Sequence, residues 1–110
     1  EPMQRNQTLL DLFKTNLERL GVKDEAPIPD RLGSSDIGNV SQVIPAIQPY
    51  IQVAPTGTAI HSRAFLEASV SPLARQGLIL AAKTIAMTAA DLLASPELVQ
   101  RAKADFAASR

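Results

Sequence analysis

Two Ser-Pro steps, Ser71-Pro72 and Ser95-Pro96, bracket the most apolar stretch of this chain. A serine before a helix accepts a hydrogen bond from an N–H that has no intrahelical partner, and proline at the first helical position gives up an N–H that would be unpaired anyway. Each step therefore reads as a helix start. Between them Leu78, Ile79, Ala82, Ile85, Ala86, Ala89, Leu92 and Leu93 fall on one broad face. At about 1.5 Å per residue this helix reaches roughly 33 Å, and its alanines let it lie close against whatever it covers. Lys83 and Asp91 interrupt the apolar run, which predicts a buried helix of a soluble domain rather than a membrane span. The second step opens a final helix with Leu98, Val99, Ala102 and Phe106 on its buried side.

The N-terminal part carries another helical stripe. Leu9, Leu10, Phe13, Leu17 and Leu20 recur at intervals of three and four, the period of an amphipathic helix. Asn6 or Thr8 can cap its start, and Gly21 stands where a left-handed residue would end it. From Asp24 to Arg31, Pro27 and Pro29 restrict the residues before them, which predicts an extended connection. Ile37, Val40 and Ile44 fit either a helical turn begun at Ser35 or Asp36 or a short strand. Ile47, Ile51 and Val53 alternate with Gln48, Pro49, Tyr50 and Gln52 and predict a strand, with Pro49 demoting it to an edge or a bulge. Ala54 to Ile60 reads as a loop.

A length of 110 residues allows one small domain. Hydrophobic residues make up 45%, too many for a disordered chain. Eleven Lys and Arg balance eleven Asp and Glu, and only 4% of residues are aromatic. Without a basic excess or stacking residues, no nucleic-acid partner is expected. The absence of cysteine excludes disulfides and thiolate ligands and fits a reducing cytoplasm. Glu1-Pro2-Met3-Gln4-Arg5 lacks the basic and then apolar run of a signal peptide; no membrane partner is expected either.

Motifs alone carry little chemistry. His61 is the sole histidine, and the plain reading of a lone loop histidine is that it does nothing chemical. A metal site needs three or four ligands, and Asp36 is the nearest carboxylate the fold could bring close. Gly33-Ser34-Ser35-Asp36-Ile37-Gly38 falls short of a nucleophile elbow, which would need glycine at Ile37, and lacks the Lys-Ser/Thr ending of a phosphate loop. Glu97, Arg101, Lys103 and Asp105 read as a solvated face. These patterns describe a small, helix-rich domain of unassigned activity.

The string from Gly33 to Ser41 (Gly-Ser-Ser-Asp-Ile-Gly-Asn-Val-Ser), then Pro45 with Ile47-Gln48-Pro49-Tyr50, then Ala59-Ile60-His61-Ser62, resembles a known group. It is similar to the closing part of the aminobenzoyl-glutamate hydrolase and peptidase-like amidohydrolases, among the aminoacylase/carboxypeptidase-type metallopeptidases. The Ala81–Ala89 run and the Ser95-Pro96-Glu97-Leu98 start agree, so the resemblance extends from about Asn6 to Phe106. It implies that residues 1–110 are the C-terminal segment of a single catalytic domain, an α/β, helix-rich part of a three-layer fold. The order would be an N-terminal helix, a short helical turn over Asp36–Val43, one or two strands and two C-terminal helices. It implies hydrolysis of amide bonds in N-acyl amino acids or dipeptides by a centre of two divalent ions, zinc or manganese, in a homo-oligomer. His61 would be a metal ligand, and Ser34, Ser35 and Asp36 would form a loop bordering the site. The remaining ligands and the general base match nothing here and would lie outside the chain, leaving this segment inactive alone. The alternative is a non-catalytic packing or oligomerisation module of the same descent.

Overall fold

The computed structural model describes residues 1–23 and 35–110. The expected extended connection through Pro27 and Pro29, together with Gly33 and Ser34, lies outside them. Among the described residues five helices follow in order: α1 (Gln7–Arg19), α2 (Ile37–Ser41), α3 (Arg63–Ala68), α4 (Pro72–Ala94) and α5 (Pro96–Ala108).

The capping residues act as their types require. Asn6 accepts from the Leu9 N–H, Ser71 from Ala74, and Ser95 from Leu98. At the end of α1, Gly21 turns left-handed at φ 80°. The Gly21 N–H then reaches the Glu18 carbonyl and the Val22 N–H the Leu17 carbonyl, a paired closure that satisfies two of the last free carbonyls of the helix.

α1, α4 and α5 pack on one another pairwise, and Phe13, Leu17, Ala74 and Ala102 are the buried apolar residues among those described. This core is thin and partly polar. Asn16, Thr84 and Thr88 are buried beside it. The Asn16 amide donates to Thr88 Oγ1 at 3.1 Å and to Asp91 Oδ2 at 3.0 Å, joining α1 to α4. Each threonine hydroxyl donates back to the carbonyl four residues earlier, Thr84 to Leu80 and Thr88 to Thr84. Among the described residues Asn16 Oδ1 is buried with no partner, and a buried acceptor left unpaired costs about 1–3 kcal/mol. At the other end of α1, Asn6 Nδ2 donates to the Ala102 carbonyl, and Thr8 donates through both N and Oγ1 to Asp105 Oδ2 at 2.7 Å. Asp105, expected to be solvated, instead binds the first turn of α1.

Two expectations are corrected. The α/β architecture is absent: among the described residues there is no strand and no sheet. Residues 45–53 run without regular hydrogen bonding, because a strand is completed by a neighbouring strand and none of the described residues supplies one. Pro45 and Pro49 also lack an N–H to offer. The segment rests instead on α4, where Gly77 lacks the Cβ that would stand 2.6 Å from the Gln52 carbonyl oxygen.

The second correction concerns the long helix. Its predicted apolar face is present, but it is not covered. The packed face is Ala74, Gly77, Thr84 and Thr88, with Gly77 under the extended segment and Thr88 against α1, whereas Leu78, Ile79 and Ile85 are exposed and Leu93 is 88% exposed. At 100° per residue Leu78 and Ile85 stand one step round the helix from Gly77 and Thr84, so the apolar arc lies beside the packed face, not behind it. One side of α4 is open, and by length and composition alone the helix is apolar enough to cross a membrane. The open side agrees with a Cα radius of gyration of 15.2 Å, above the roughly 13 Å of a closed domain of this length.

Candidate functional site

α2 positions the first group of candidate residues. The Ser35 carbonyl accepts from the Gly38 N–H at 3.2 Å, and the Asp36 carbonyl accepts from Asn39 and Val40, which winds the turn. The short helix Ile37–Ser41 therefore decides the ambiguous stretch in favour of helix over strand. Asp36 precedes it but makes no side-chain cap, leaving its carboxylate exposed. Ser35 Oγ accepts from the Ile37 N–H at 3.3 Å and donates to Gln48 Oε1 at 3.2 Å, tying the loop to the extended segment. Ser34 lies outside the described residues.

The buried side of α2 is occupied by the start of the chain. The Gln4 N–H donates to Ser41 Oγ at 2.9 Å, and Ser41 Oγ donates to the Gly38 carbonyl at 2.6 Å. The Gln4 and Gln42 side chains bond each other at 2.8 Å, and Gln42 reaches the Pro2 carbonyl. Gly38 is buried against the Glu1 carbonyl with no room for a Cβ. Ser35 and Asp36 thus stand on a turn braced from behind.

His61 lies in the turn before α3. Its φ is 58°, the one positive φ among described residues other than glycine. An L-residue in this left-handed region gives up about 1–2 kcal/mol, and histidine enters it more readily than most. The ring is exposed and makes no hydrogen bond among the described residues. Ser62 follows in an extended conformation and caps α3 through the Phe65 N–H at 3.1 Å. The reading of this region as a plain loop missed both α3 and the capping role of Ser62. The signal was an N-cap residue type followed by the Arg63-Ala64-Phe65-Leu66 run, too short for helical periodicity to register.

The structure brings Ser35 and Asp36 together and sets His61 on a separate turn. No group of three His, Asp or Glu residues that could hold a metal ion is formed among the described residues. One exposed imidazole does not make a self-contained centre among the described residues. A shallow cleft of about 510 Å3 lies between α1, the extended segment and α4, lined by Leu17, Tyr50, Ile51, Leu73 and Leu80 with Lys23 at its rim. None of the candidate residues opens into it.

Comparison with known proteins adds what this geometry leaves open. The chain is 34% identical over 104 residues to the Xaa-Arg dipeptidase of Mus musculus. Its relatives are peptidases. The Homo sapiens Xaa-Arg dipeptidase is 33% identical over the same length. In both cases the match covers 92% of this chain and 24% of the relative, so the chain spans about a quarter of the length of the curated relatives it matches. No family model and no solved structure matches. These similarities support a peptidase-type hydrolase family, a coarser statement than the aminobenzoyl-glutamate hydrolase group suggested by the Gly33–Ser41 and Ala59–Ser62 strings.

Proposed function

We propose that this chain is the C-terminal catalytic segment of a metal-dependent hydrolase that cleaves dipeptides or N-acyl amino acids, with His61 as one ligand of a two-ion centre. The observation that carries the reading is the similarity to two dipeptidases along 92% of the chain. The geometry of His61 supports it. An exposed imidazole without a hydrogen bond among the described residues, on a left-handed turn, is placed to bind something outside this chain, and backbone strain of this kind collects at functional sites.

Zinc or manganese ions, when bound, polarise a carbonyl and make water nucleophilic near neutral pH. The residues of this chain have narrower tasks. His61 would offer one ring nitrogen, and Ser35 and Asp36, exposed on the braced α2 turn, would border the site. The other ligands, the general base and the substrate pocket belong to the part of the protein that this chain does not span. The narrower kinship to the aminobenzoyl-glutamate hydrolase group, a homo-oligomeric state and a cytoplasmic location go with the same proposal.

A second reading is favoured by the uncovered face of α4: a non-catalytic module whose purpose is to pack against or join other subunits. His61→Ala in the complete polypeptide separates the two. Loss of one equivalent of bound metal and of most dipeptidase activity supports catalysis. Unchanged metal content and turnover would leave the packing module standing.

A further inference from the structure

We propose that the open arc of α4 is the docking surface for the rest of the same polypeptide, through an apolar patch that carries carboxylates opposite Arg75 and Lys83. The inference rests on the reading of this chain as one segment of a longer hydrolase. Both relatives are about four times as long as the stretch they share with this chain. On the helix the arc runs from Ile85 and Leu78 through Ala82, Leu93 and Ala86 to Ile79, about a third of the circumference at 100° per residue, and all six are exposed. Ala82 and Ala86 let a neighbour approach the backbone closely, with large aliphatic side chains on either side of them. Arg75 lies within the arc and Lys83 at its edge, and no acidic residue shares it. Among the described residues neither cation meets a carboxylate.

Area, charge and packing choose the occupant. The chain exposes 8140 Å2, whereas a closed monomer of this mass exposes about 5,900 Å2. The difference, about 2,200 Å2, is well above the roughly 800 Å2 that each partner gives to a standard interface. A surface that large belongs to an obligate contact. A second copy would set the arc against itself, where its only charges, Arg75 and Lys83, are both positive and oppose the pairing. Lipid fits no better. α4 is bonded to α1 through Thr88 and Asp91 on its packed side, so hydrocarbon cannot surround it, and Arg75 within the arc would lose its water there. An apolar surface of the same polypeptide, with acidic groups placed for Arg75 and Lys83, meets all three conditions.

The test uses Ala86→Cys and Leu93→Cys in the complete polypeptide. Maleimide labelling of each added thiol, over the background of the unsubstituted protein, is compared between the folded state and urea. The expected result is labelling slowed on the order of 100-fold or more by folding, unchanged on dilution and without lipid. Fast labelling of the folded protein overturns the proposal. Protection that vanishes on dilution assigns the arc to a second copy, and protection that appears only with phosphatidylserine vesicles assigns it to lipid; either overturns it too. Lys83→Glu should lower the melting temperature of the complete polypeptide more than Lys83→Gln does, and equal melting overturns the carboxylates. The hydrolase reading fails separately: protected thiols in a polypeptide that cleaves no dipeptide overturn that reading alone, and fast labelling in an active one overturns the docking surface alone.

Discussion

Gly77→Ala sets two forces against each other at one position. Gly77 lies inside α4, where alanine is the better helix former by about 0.8–1.0 kcal/mol. By propensity alone the substitution stabilises. Its new Cβ, however, would stand 2.6 Å from the Gln52 carbonyl oxygen and 3.1 Å from Val53 Cγ1. The first of these is a backbone atom, which cannot rotate out of the way as the end of a long side chain can. The extended segment must lift from α4, loosening Ile51 and Val53, which are half-buried. Overpacking of this kind costs about 1–3 kcal/mol, so the net change runs from near neutral to about 2 kcal/mol destabilising. Urea unfolding at equilibrium reads it. Ala82→Gly, on the exposed face of the same helix, serves as the control and is expected to lose about 0.8–1.0 kcal/mol with no compensating gain. If Gly77→Ala is instead stabilised by about 1 kcal/mol, residues 50–53 do not rest on α4 and the cleft beside Tyr50 does not exist as described.

Asp105 gives a pH signature. The Thr8 hydroxyl, and after it the Thr8 backbone N–H, hold its carboxyl below the ordinary carboxylate value; Arg101 lowers it a little further, and burial opposes them. A carboxylate with a depressed folded pKa contributes stability that is present above the unfolded value of about 3.9 and is lost as pH falls through the folded value. Asp105→Asn should flatten the decline of melting temperature below about pH 4, and parallel curves for the two proteins would refute the Thr8 contact. The 110-residue chain alone should self-associate through Leu78, Ile85 and Leu93, since each large aliphatic side chain left in water forgoes about 1.5–3 kcal/mol. Light scattering should show association relieved by Ile85→Glu with Leu93→Glu, whereas a dilute, cooperatively unfolding wild-type monomer would show that the open face is stable uncovered. Zinc or manganese titrated into the same chain should show no micromolar two-ion binding, because one histidine and no cysteine cannot supply the ligands; two-ion binding of that strength would overturn the incomplete-site reading.

Much of the local structure was legible because its causes are local. Ser71 and Ser95 before proline, Asn6 before α1 and Gly21 after it act within a few bonds of themselves, and each marks a helix end where its chemistry predicts. The apolar arc of α4 from Leu78 to Leu93 was legible for the same reason: side-chain direction along a helix follows from position alone. The family strings around Asp36 and His61 pointed to a hydrolase, and the dipeptidase relatives agree with that coarser reading.

Only the tertiary structure decided what each face meets. Periodicity states that Leu78 and Ile85 share a side of α4; it cannot state that the neighbouring side would be the packed one, with Thr84 and Thr88 inward and Asn16 bonded across to Asp91. The alternation over Ile47–Val53 suited a strand, but a strand depends on a neighbour, and the neighbour this segment found is the Cβ-less surface of Gly77. Asp105 looked solvated because the sequence does not show Thr8 across the bundle. The left-handed turn at His61 was equally invisible, since no residue type there demands it. Next to it the Ser62 hydroxyl bonds the chain on both sides of the histidine it follows.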